Sequence, residues 1–287
     1  MQNLSNINTI KDILHRHGFT FSKSLGQNFL VNPGICPKIA EQGNAQKGFG
    51  VIEIGTGIGV LTAELCKRAD KVVAIEIDDR LMPVLEETMA EFDNFKVINQ
   101  DVLKVDLHAL IKEEFGDMPV SVCANLPYYI TSPIIMSLLE SRLPIKSITV
   151  MVQKEAAKRI CAMPATRDVG AVSIAVRYFS EPKQLFTVSR GSFMPAPNVD
   201  SAVIRLDVRE QTPSGVEDEA FFFKFVRAAF SMRRKTIVNA VSNSLGISKA
   251  VVIETLNACN ISETSRAEQL TMEQFIELSN DLKNRIK

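Results

Sequence analysis

Short runs rich in valine and isoleucine alternate with helix-like stretches in the first half of this 287-residue chain. Each run is too short for a helix and carries consecutive apolar residues, which is typical of a strand buried on both faces of a parallel sheet. Such alternation predicts right-handed βαβ units and therefore an α/β fold. The predicted strands are 51–54, 72–77, 96–99, 119–124 and 147–153, and the helices between them include 60–69 and 80–92.

The pattern changes in the second half of the chain. Residues 170–179 and 200–208 are predicted to be later strands at an antiparallel edge of the sheet, and the polar, acidic stretch 209–219 is predicted to be a linker. Helical periodicity follows at 220–240, 248–257 and 271–284. We therefore predict a sheet domain over 1–208 and a small all-helical C-terminal domain over 216–287.

Composition narrows the possible partners and the compartment. The chain has 33 basic and 33 acidic residues, and this balance argues against a nucleic-acid binder that acts only through overall positive charge. Its five cysteines show no CxxC spacing, so neither a disulfide framework nor a structural zinc site is expected, and no metal is implied. No apolar stretch has the length of a signal peptide or a membrane span. We expect a cytoplasmic protein.

A glycine-rich loop, "EIGTGIGVLT" at 53–62, follows the first predicted strand and opens a helix. Gly55, Gly57 and Gly59 allow the backbone to turn sharply and to approach a ligand closely. Their GxGxG spacing differs from the GxGxxG fingerprint of dinucleotide-binding folds. The glycines alone would also fit a tight turn without any ligand.

Polar residues at the ends of the next strands strengthen the case for a ligand. Glu76 lies near the end of the second strand, Asp101 follows the third and Asn125 follows the fourth. Ligands of open α/β sheets bind at the carboxyl ends of the strands. A carboxylate at Glu76 suits the ribose of NAD or of S-adenosylmethionine, and Asp101 suits an adenine amino group. Asn125 is the residue that distinguishes the two cofactors.

The sequence Asn125-Leu126-Pro127-Tyr128 suits methyl transfer to a nucleobase amine. Such an amine is a poor nucleophile because its lone pair is delocalised into the ring. Two acceptors on its hydrogens, the Asn125 side-chain oxygen and the Leu126 carbonyl, would free that lone pair for attack on a sulfonium methyl. Pro127 would fix the loop, and Tyr128 would stack on a base removed from its helix. Catalysis would then depend on positioning rather than on a strong base.

A second aromatic residue supports this interpretation from another part of the chain. Phe193 precedes a Pro-x-Pro pair in "SRGSFMPAPNVDSAV", which spans 189–203. The prolines would stiffen the loop, so Phe193 is predicted to clamp the other face of the target base. An aromatic residue beside prolines is also common in ordinary loop packing.

In order along about residues 22 to 272, the chain contains "SLGQNFLVNP", "EIGTGIGVLT", "IEID", "NQDVL", "NLPYYITSPI", "FMPAPNVDSAV", "FSMRRKTI" and "SRAEQL". This set resembles the ribosomal RNA small-subunit (16S) adenine N6-dimethyltransferase family. The resemblance implies a Rossmann-like class I methyltransferase domain followed by a helical C-terminal domain. It also implies transfer of four methyl groups from S-adenosylmethionine to N6 of two adjacent adenosines near the 3′ end of 16S rRNA.

The resemblance also implies roles for individual residues. Asn28 and Leu30 would cover the cofactor, and Tyr129 occupies a position where the family often has a small or amide side chain. The predicted catalytic set is Asn125, Leu126, Pro127, Tyr128 and Phe193. The predicted cofactor-binding set is Asn28, Leu30, Gly55, Gly57, Glu76, Ile77, Asp101, Val102 and Asn125.

A basic segment lies in the predicted helical domain. Residues 221–250 contain six lysines and arginines and no acidic residue. Such a run usually marks a solvated helix face, but beside a nucleobase-like site it favours contact with RNA phosphates. The predicted RNA-binding residues are Lys224, Arg227, Arg233, Arg234 and Lys235.

Three other functions compete with the leading prediction. A large-subunit adenine methyltransferase that confers macrolide resistance would have a similar catalytic domain. A non-catalytic assembly or transcription factor could retain the fold, although Glu76 and Asn125 argue against lost activity. A nicotinamide oxidoreductase would leave the Asn-Leu-Pro-Tyr sequence unexplained. The expected partner is 16S rRNA in the small ribosomal subunit or its precursor, and a monomer is expected.

Overall fold

The computed structural model describes residues 4–20, 22, 26–232 and 234–286, which form two compact units. The first unit comprises Met1–Ala157 and Ser180–Arg209. The second comprises Lys158–Phe179 and Glu210–Lys287. Residues 158–179 therefore group with the C-terminal helices, whereas the predicted division placed them in the sheet domain.

The first unit is built on a seven-stranded mixed sheet with flanking helices. The strands of the chain are Phe29–Leu30 (β1), Gly50–Ile54 (β2), Lys71–Glu76 (β3), Phe95–Asn99 (β4), Val120–Asn125 (β5), Ile145–Gln153 (β6), Ser180–Val188 (β7), Phe193–Met194 (β8) and Ser201–Val208 (β9). Its helices are Ile7–Arg16 (α1), Ile35–Gln42 (α2), Val60–Cys66 (α3), Met82–Thr88 (α4), Leu107–Phe115 (α5) and Thr131–Glu140 (α6), and Lys154–Ile160 (α7) follows β6.

The order of the large sheet is β4-β3-β2-β5-β6-β9-β7, and the strands from β4 to β6 are parallel. All five predicted strands of the first half are present. The residues of β2 are all buried, as expected for a middle strand with helices packed on the sheet. The carboxyl ends of β2, β3, β4 and β5 therefore lie together at one edge of the sheet.

A separate two-stranded sheet is formed by β1 and β8. β1 pairs antiparallel with β8, with Phe29 opposite Met194 and Leu30 opposite Phe193. No periodicity marks strands this short, and the sequence did not predict the pair. It joins the segment that contains Asn28 to the segment that contains Phe193.

The prediction of a strand at 170–179 is wrong, because this segment is the helix Ala171–Phe179 (α8) of the second unit. Its β-branched and aromatic composition suggested a strand, but six of its nine residues are buried, as expected for a helix packed on several sides. Ile174 and Tyr178, four residues apart, are both buried, as expected for one face of a helix. The Tyr178 hydroxyl donates a hydrogen bond to Glu219 at 2.9 Å.

The edge strand also differs from the prediction. The predicted strand 200–208 corresponds to β9, Ser201–Val208, which is antiparallel as expected but lies between β6 and β7 rather than at the edge. The edge strand is β7, which was not predicted. Pro182 within β7 argues against a central strand, and an edge is where proline is tolerated.

The remainder of the second unit is helical. The predicted helix 220–240 is divided into two helices, and the ring of Phe230, at the C-terminus of the first of them, stacks on Phe275 with centroids 5.7 Å apart. The helices are Glu219–Ala229 (α9), Ile237–Leu245 (α10), Lys249–Ala258 (α11) and Met272–Arg285 (α12). In the described part of the chain, no helix is long and apolar enough to cross a membrane.

A substitution at the start of β2 tests how tightly the sheet packs. A Cβ added to Gly50 would lie 2.2 Å from Cδ1 of Phe115, a buried ring on α5. Because the ring has little room to move, Gly50→Ala should lower the free energy of unfolding by about 1–3 kcal/mol. Urea denaturation measures this change. Gly191→Ala is the matched control, since its nearest neighbour would be Ser189 Oγ at 3.8 Å; equal effects of the two substitutions would contradict the packing argument.

Candidate active site

A cavity lies at the carboxyl ends of the parallel strands in the first unit. All the residues predicted to bind the cofactor or to act on the substrate line this cavity. They are Asn28, Leu30, Gly55, Gly57, Glu76, Ile77, Asp101, Val102, Asn125, Leu126, Pro127, Tyr128 and Phe193. The structure thus brings together segments from six parts of the chain, and the role of each residue stays a prediction.

The glycine loop forms the floor between β2 and α3. Gly57 has φ +55° and Gly59 has φ +91°, a region that residues with a Cβ rarely adopt. A Cβ on Gly57 would also lie 3.1 Å from the Phe29 ring, and one on Gly59 would lie 2.9 Å from Met89 Sδ. Glycine is therefore required here both by the backbone turn and by the close packing around it.

The Glu76 carboxylate, buried at the end of β3, holds this loop in place. Its Oε2 accepts hydrogen bonds from the Thr56 backbone N–H at 2.8 Å, the Thr56 hydroxyl at 3.0 Å and the Gly57 N–H at 3.3 Å. Its Oε1 accepts from the Asp78 N–H at 3.0 Å. Sequence reasoning proposed Glu76 only as a ligand for ribose, and the structure adds this second role in shaping the loop.

Ile77, which follows β3, and Asp101, which follows β4, both line the cavity. Asp101 Oδ1 accepts from the Leu103 N–H at 3.1 Å and so caps the short helix Val102–Lys104. Ile77 is 56% exposed although it is apolar. A flat apolar ligand group would find both an apolar face and a carboxylate in this region.

The loop after β5 presents its polar groups to the cavity. The Asn125 side-chain N–H is 3.4 Å from the Asn28 carbonyl, and the Leu126 side chain is buried. Among the described residues, no donor bonds to the Asn125 side-chain oxygen or to the Leu126 carbonyl. The Pro127 carbonyl, in contrast, accepts from the Ile130 N–H and the Thr131 hydroxyl, both at 3.2 Å. The loop is thus fixed while two acceptors remain available.

The two predicted base-binding rings are held by different means. The Tyr128 hydroxyl lies 2.7 Å from Ser201 Oγ at the start of β9, and burial raises its pKa. Phe193 is buried and is held by the pairing of β8 with β1. Both rings line the cavity, and their role in holding a base stays a prediction.

Comparison with known proteins agrees with this geometry. Residues 18–284 match the model of the family described as ribosomal RNA adenine dimethylase. The chain belongs to the ribosomal RNA adenine dimethylase family. It is 52% identical over 278 residues to the ribosomal RNA small subunit methyltransferase A of Geobacillus sp. (strain WCH70), with 96% of each chain covered. It is 48% identical to the protein of the same name from Alkaliphilus oremlandii (strain OhILAs), over 100% of both chains.

Solved structures show the same fold. A dimethyladenosine transferase from Plasmodium falciparum has a TM-score of 0.74 at 28% identity, covering 90% of this chain and 98% of that one. The 23S rRNA methyltransferase ErmE has a TM-score of 0.67 at 26% identity, covering 89% and 99%. This dimethylase is therefore a class I, S-adenosylmethionine-dependent rRNA adenine dimethyltransferase, which confirms the predicted fold class, enzyme class and cofactor.

The cavity of the dimethylase suits S-adenosylmethionine. Glu76 Oε1 accepts one hydrogen bond from the described residues, so it retains acceptor capacity for a ribose hydroxyl. Ile77 and Val102, both predicted to bind the cofactor, add apolar side chains to the cavity lining. A Cβ added to Gly55 would have only the Asn125 carbonyl oxygen within 4 Å, at 4.0 Å, so this part of the cavity is open.

Some cavity residues of the dimethylase were not predicted. Gln27 donates from its side chain to Asp78 Oδ2 at 2.7 Å, and Asp78 is also paired with Arg80 at 2.6 Å, which lowers the pKa of Asp78. The Arg80 guanidinium lies 4.9 Å from the centre of the Phe19 ring. The motifs "GQNFL" and "IEID" contain Gln27 and Asp78, but their pairing depends on the tertiary fold and has no local sequence signal.

The residues predicted to contact RNA belong to the second unit. Lys224 and Arg227 are exposed on α9, and Arg234 and Lys235 are exposed between α9 and α10. Arg233 lies outside the described residues. Exposed cations of this kind are available for phosphate contacts.

A buried carboxyl group, Glu53 on β2, also lines the cavity. It is 0% exposed, and neither of its oxygens has a hydrogen-bond partner among the described residues. Burial raises its pKa from 4.5 to about 8. The folded dimethylase therefore keeps this proton at pH values at which the unfolded chain has lost it.

Glu53 should make the stability of the dimethylase depend on pH. Because its pKa is raised on folding, the free energy of unfolding should fall as pH rises between about 4.5 and about 8, by at most about 1.4 kcal/mol per pH unit. Glu53→Gln has no proton to lose, so its stability relative to the parent should increase through this window. Denaturant unfolding of the parent and of Glu53→Gln at three pH values within the window measures this difference in stability. The prediction would be contradicted if the free energies of unfolding of the two proteins changed equally with pH.

Proposed function

We propose that the enzyme dimethylates N6 of two adjacent adenosines near the 3′ end of 16S rRNA, in the small ribosomal subunit or its precursor. The observation that carries this proposal is the pair of acceptors after β5, the Asn125 side-chain oxygen and the Leu126 carbonyl, beside the glycine loop. Relatives that share about half of the sequence are named small subunit methyltransferases. ErmE, named for 23S rRNA, shares 26% and supports a large-subunit substrate less well.

The two acceptors would orient the target amine. Each takes one N6 hydrogen of the adenine, which draws the nitrogen away from planarity and directs its lone pair to the donor. The cofactor supplies an electrophilic methyl group on a sulfonium. As the new N–C bond forms, the methyl–sulfur bond would break and leave the donor as a neutral thioether. The nitrogen would become positively charged and would then release one proton to solvent. For the second methylation a single N–H remains, and one acceptor is enough to hold it.

Fixed geometry supports this mechanism better than base catalysis. The nitrogen loses its proton only after it has become cationic, so no strong base is needed. Asn125 is held at the end of β5, and Pro127 is held by the two hydrogen bonds to its carbonyl. Such preorganised acceptors stabilise the developing positive charge without reorganisation during the reaction.

Tyr128 and Phe193 would hold the target base between their rings. The hydrogen bond from Tyr128 to Ser201 limits rotation of its ring, and β8 fixes the backbone of Phe193. Removing a base from its helix breaks its stacking, and these rings would replace that stacking. The exposed cations Lys224, Arg227, Arg234 and Lys235, together with Arg233, would bind RNA phosphates. The enzyme would act in the cytoplasm as a monomer.

Parallel assays on undermethylated small subunits and on large subunits test the proposed reaction. With methyl-labelled donor, nucleoside analysis should find N6-dimethyladenosine in the small subunit alone. Asn125→Ala should reduce the rate roughly 100-fold or more, because a preorganised polar contact is lost. Asn257→Ala, an exposed asparagine on α11, is the matched control and should match the parent. Label in the large subunit alone, or full activity of Asn125→Ala, would contradict the proposal.

The salt dependence of RNA binding tests the basic segment. The double variant Arg234→Ala, Lys235→Ala should bind small subunits more weakly, and the slope of log affinity against log salt should become shallower by about 1–2. Lys47→Ala removes an exposed lysine that pairs with Asp70 in the first unit, and it should leave the slope unchanged. Equal slopes for the double variant and the parent would show that these cations do not contact phosphate.

A further inference from the structure

Tyr129 is the most exposed large apolar side chain in the described part of the chain, at 64%, and it also lines the cavity. The folded protein gains little from a ring left in water. A position at the mouth of a nucleobase site suggests that a ligand covers this ring. None of the roles assigned above uses Tyr129.

The backbone holds Tyr129 in a fixed turn. The Pro127 carbonyl accepts from the Ile130 N–H, which closes a turn with Tyr128 and Tyr129 at its centre. The Thr131 hydroxyl donates to the same carbonyl and ties the turn to α6. Because the backbone of this turn is already fixed, a ligand that binds to its side chain would cost little further conformational entropy.

The two tyrosines of the turn have different surroundings. Tyr128 is half-buried, and its hydroxyl is bonded to Ser201. Tyr129 has no hydrogen bond among the described residues. A Cβ added to Gly26 would lie 3.5 Å from Cε1 and 3.7 Å from Cδ1 of Tyr129, so one edge of the ring rests near this glycine while the rest is open. The Tyr128 side chain is thus held by a contact within the fold, whereas the exposed Tyr129 ring is accessible to a ligand.

We propose that Tyr129 stacks on the RNA base next to the adenine that occupies the cavity, and that it prefers a purine there. This inference rests on the proposed function. When one base leaves the stack, its neighbour loses a stacking partner, and a fixed aromatic ring at the mouth can replace it. A purine offers the larger face. With two adjacent target adenosines, Tyr129 would hold one adenosine while the other is methylated.

Kinetics on small subunits test the stacking role. Aromatic–base stacking is worth about 1–3 kcal/mol per base, so Tyr129→Leu should raise KM for undermethylated small subunits roughly 5- to 150-fold. Tyr129→Phe keeps the ring and should restore most of the affinity. Tyr129→Asn serves as a second truncation if the leucine variant folds poorly. Ile7→Ala, which removes an exposed apolar side chain on α1, is the control expected to match the parent.

A coupling measurement separates stacking from a structural effect. In the parent, replacing the neighbouring adenosine by uridine should raise KM for the RNA, whereas in Tyr129→Leu the same replacement should have little further effect. Additive effects would overturn the inference. It would also be overturned if Tyr129→Leu weakened binding of S-adenosylhomocysteine, measured by calorimetry, without changing KM for the subunit, since the ring would then act through Gly26. Failure of the parent to methylate small subunits would instead refute the proposed function.

Discussion

The Glu76 carboxylate is the contact on which the architecture of the site depends. It lies at the end of β3 and accepts three hydrogen bonds from Thr56 and Gly57 in the loop after β2. Without this acceptor, the backbone N–H groups of a turn with positive φ would be left unpaired in a buried place, at a cost of about 1–3 kcal/mol each. The same carboxylate keeps an acceptor site toward the cavity. The floor of the site therefore depends on one side chain, and the same side chain is the one predicted to bind the cofactor ribose.

A second constraint is the closure of the cavity by segments that are distant in sequence. The pairing of β1 with β8 places Leu30 opposite Phe193. Gln27, which precedes β1, donates a hydrogen bond to Asp78, which follows β3. Asp78 is also paired with Arg80, so the chain before β1 is joined to the chain after β3. These contacts join the wall predicted to cover the cofactor to the aromatic residue predicted to clamp the base. The residues predicted to bind the cofactor and those predicted to bind the base are thus parts of one connected wall.

The parts of the fold and of the site that could be predicted are those marked by a local pattern in the sequence. Short apolar runs indicated the parallel strands, and the polar residues that follow them, Glu76, Asp101 and Asn125, fell at one edge because parallel strands all end there. The helix at 171–179 was missed because its composition is that of a strand, and β7 was missed because Pro182 argues against one. The β1–β8 pair and the buried state of Glu53 depend on packing between distant segments, which no local pattern records.

The polar groups at this edge of the sheet divide into two kinds. Most, such as those of Glu76 and Asp101, accept hydrogen bonds from the fold itself. The Asn125 side-chain oxygen and the Leu126 carbonyl accept none from the described residues. Rigid neighbours hold both acceptors in place: the Leu126 side chain is buried, and the Pro127 carbonyl accepts two hydrogen bonds. The fold thus satisfies the acceptors of Glu76 and Asp101, whereas these two, like the buried Glu53 oxygens, accept no hydrogen bond from the described residues. Two open acceptors on one fixed loop are what the proposed mechanism requires to hold an amine through its hydrogens.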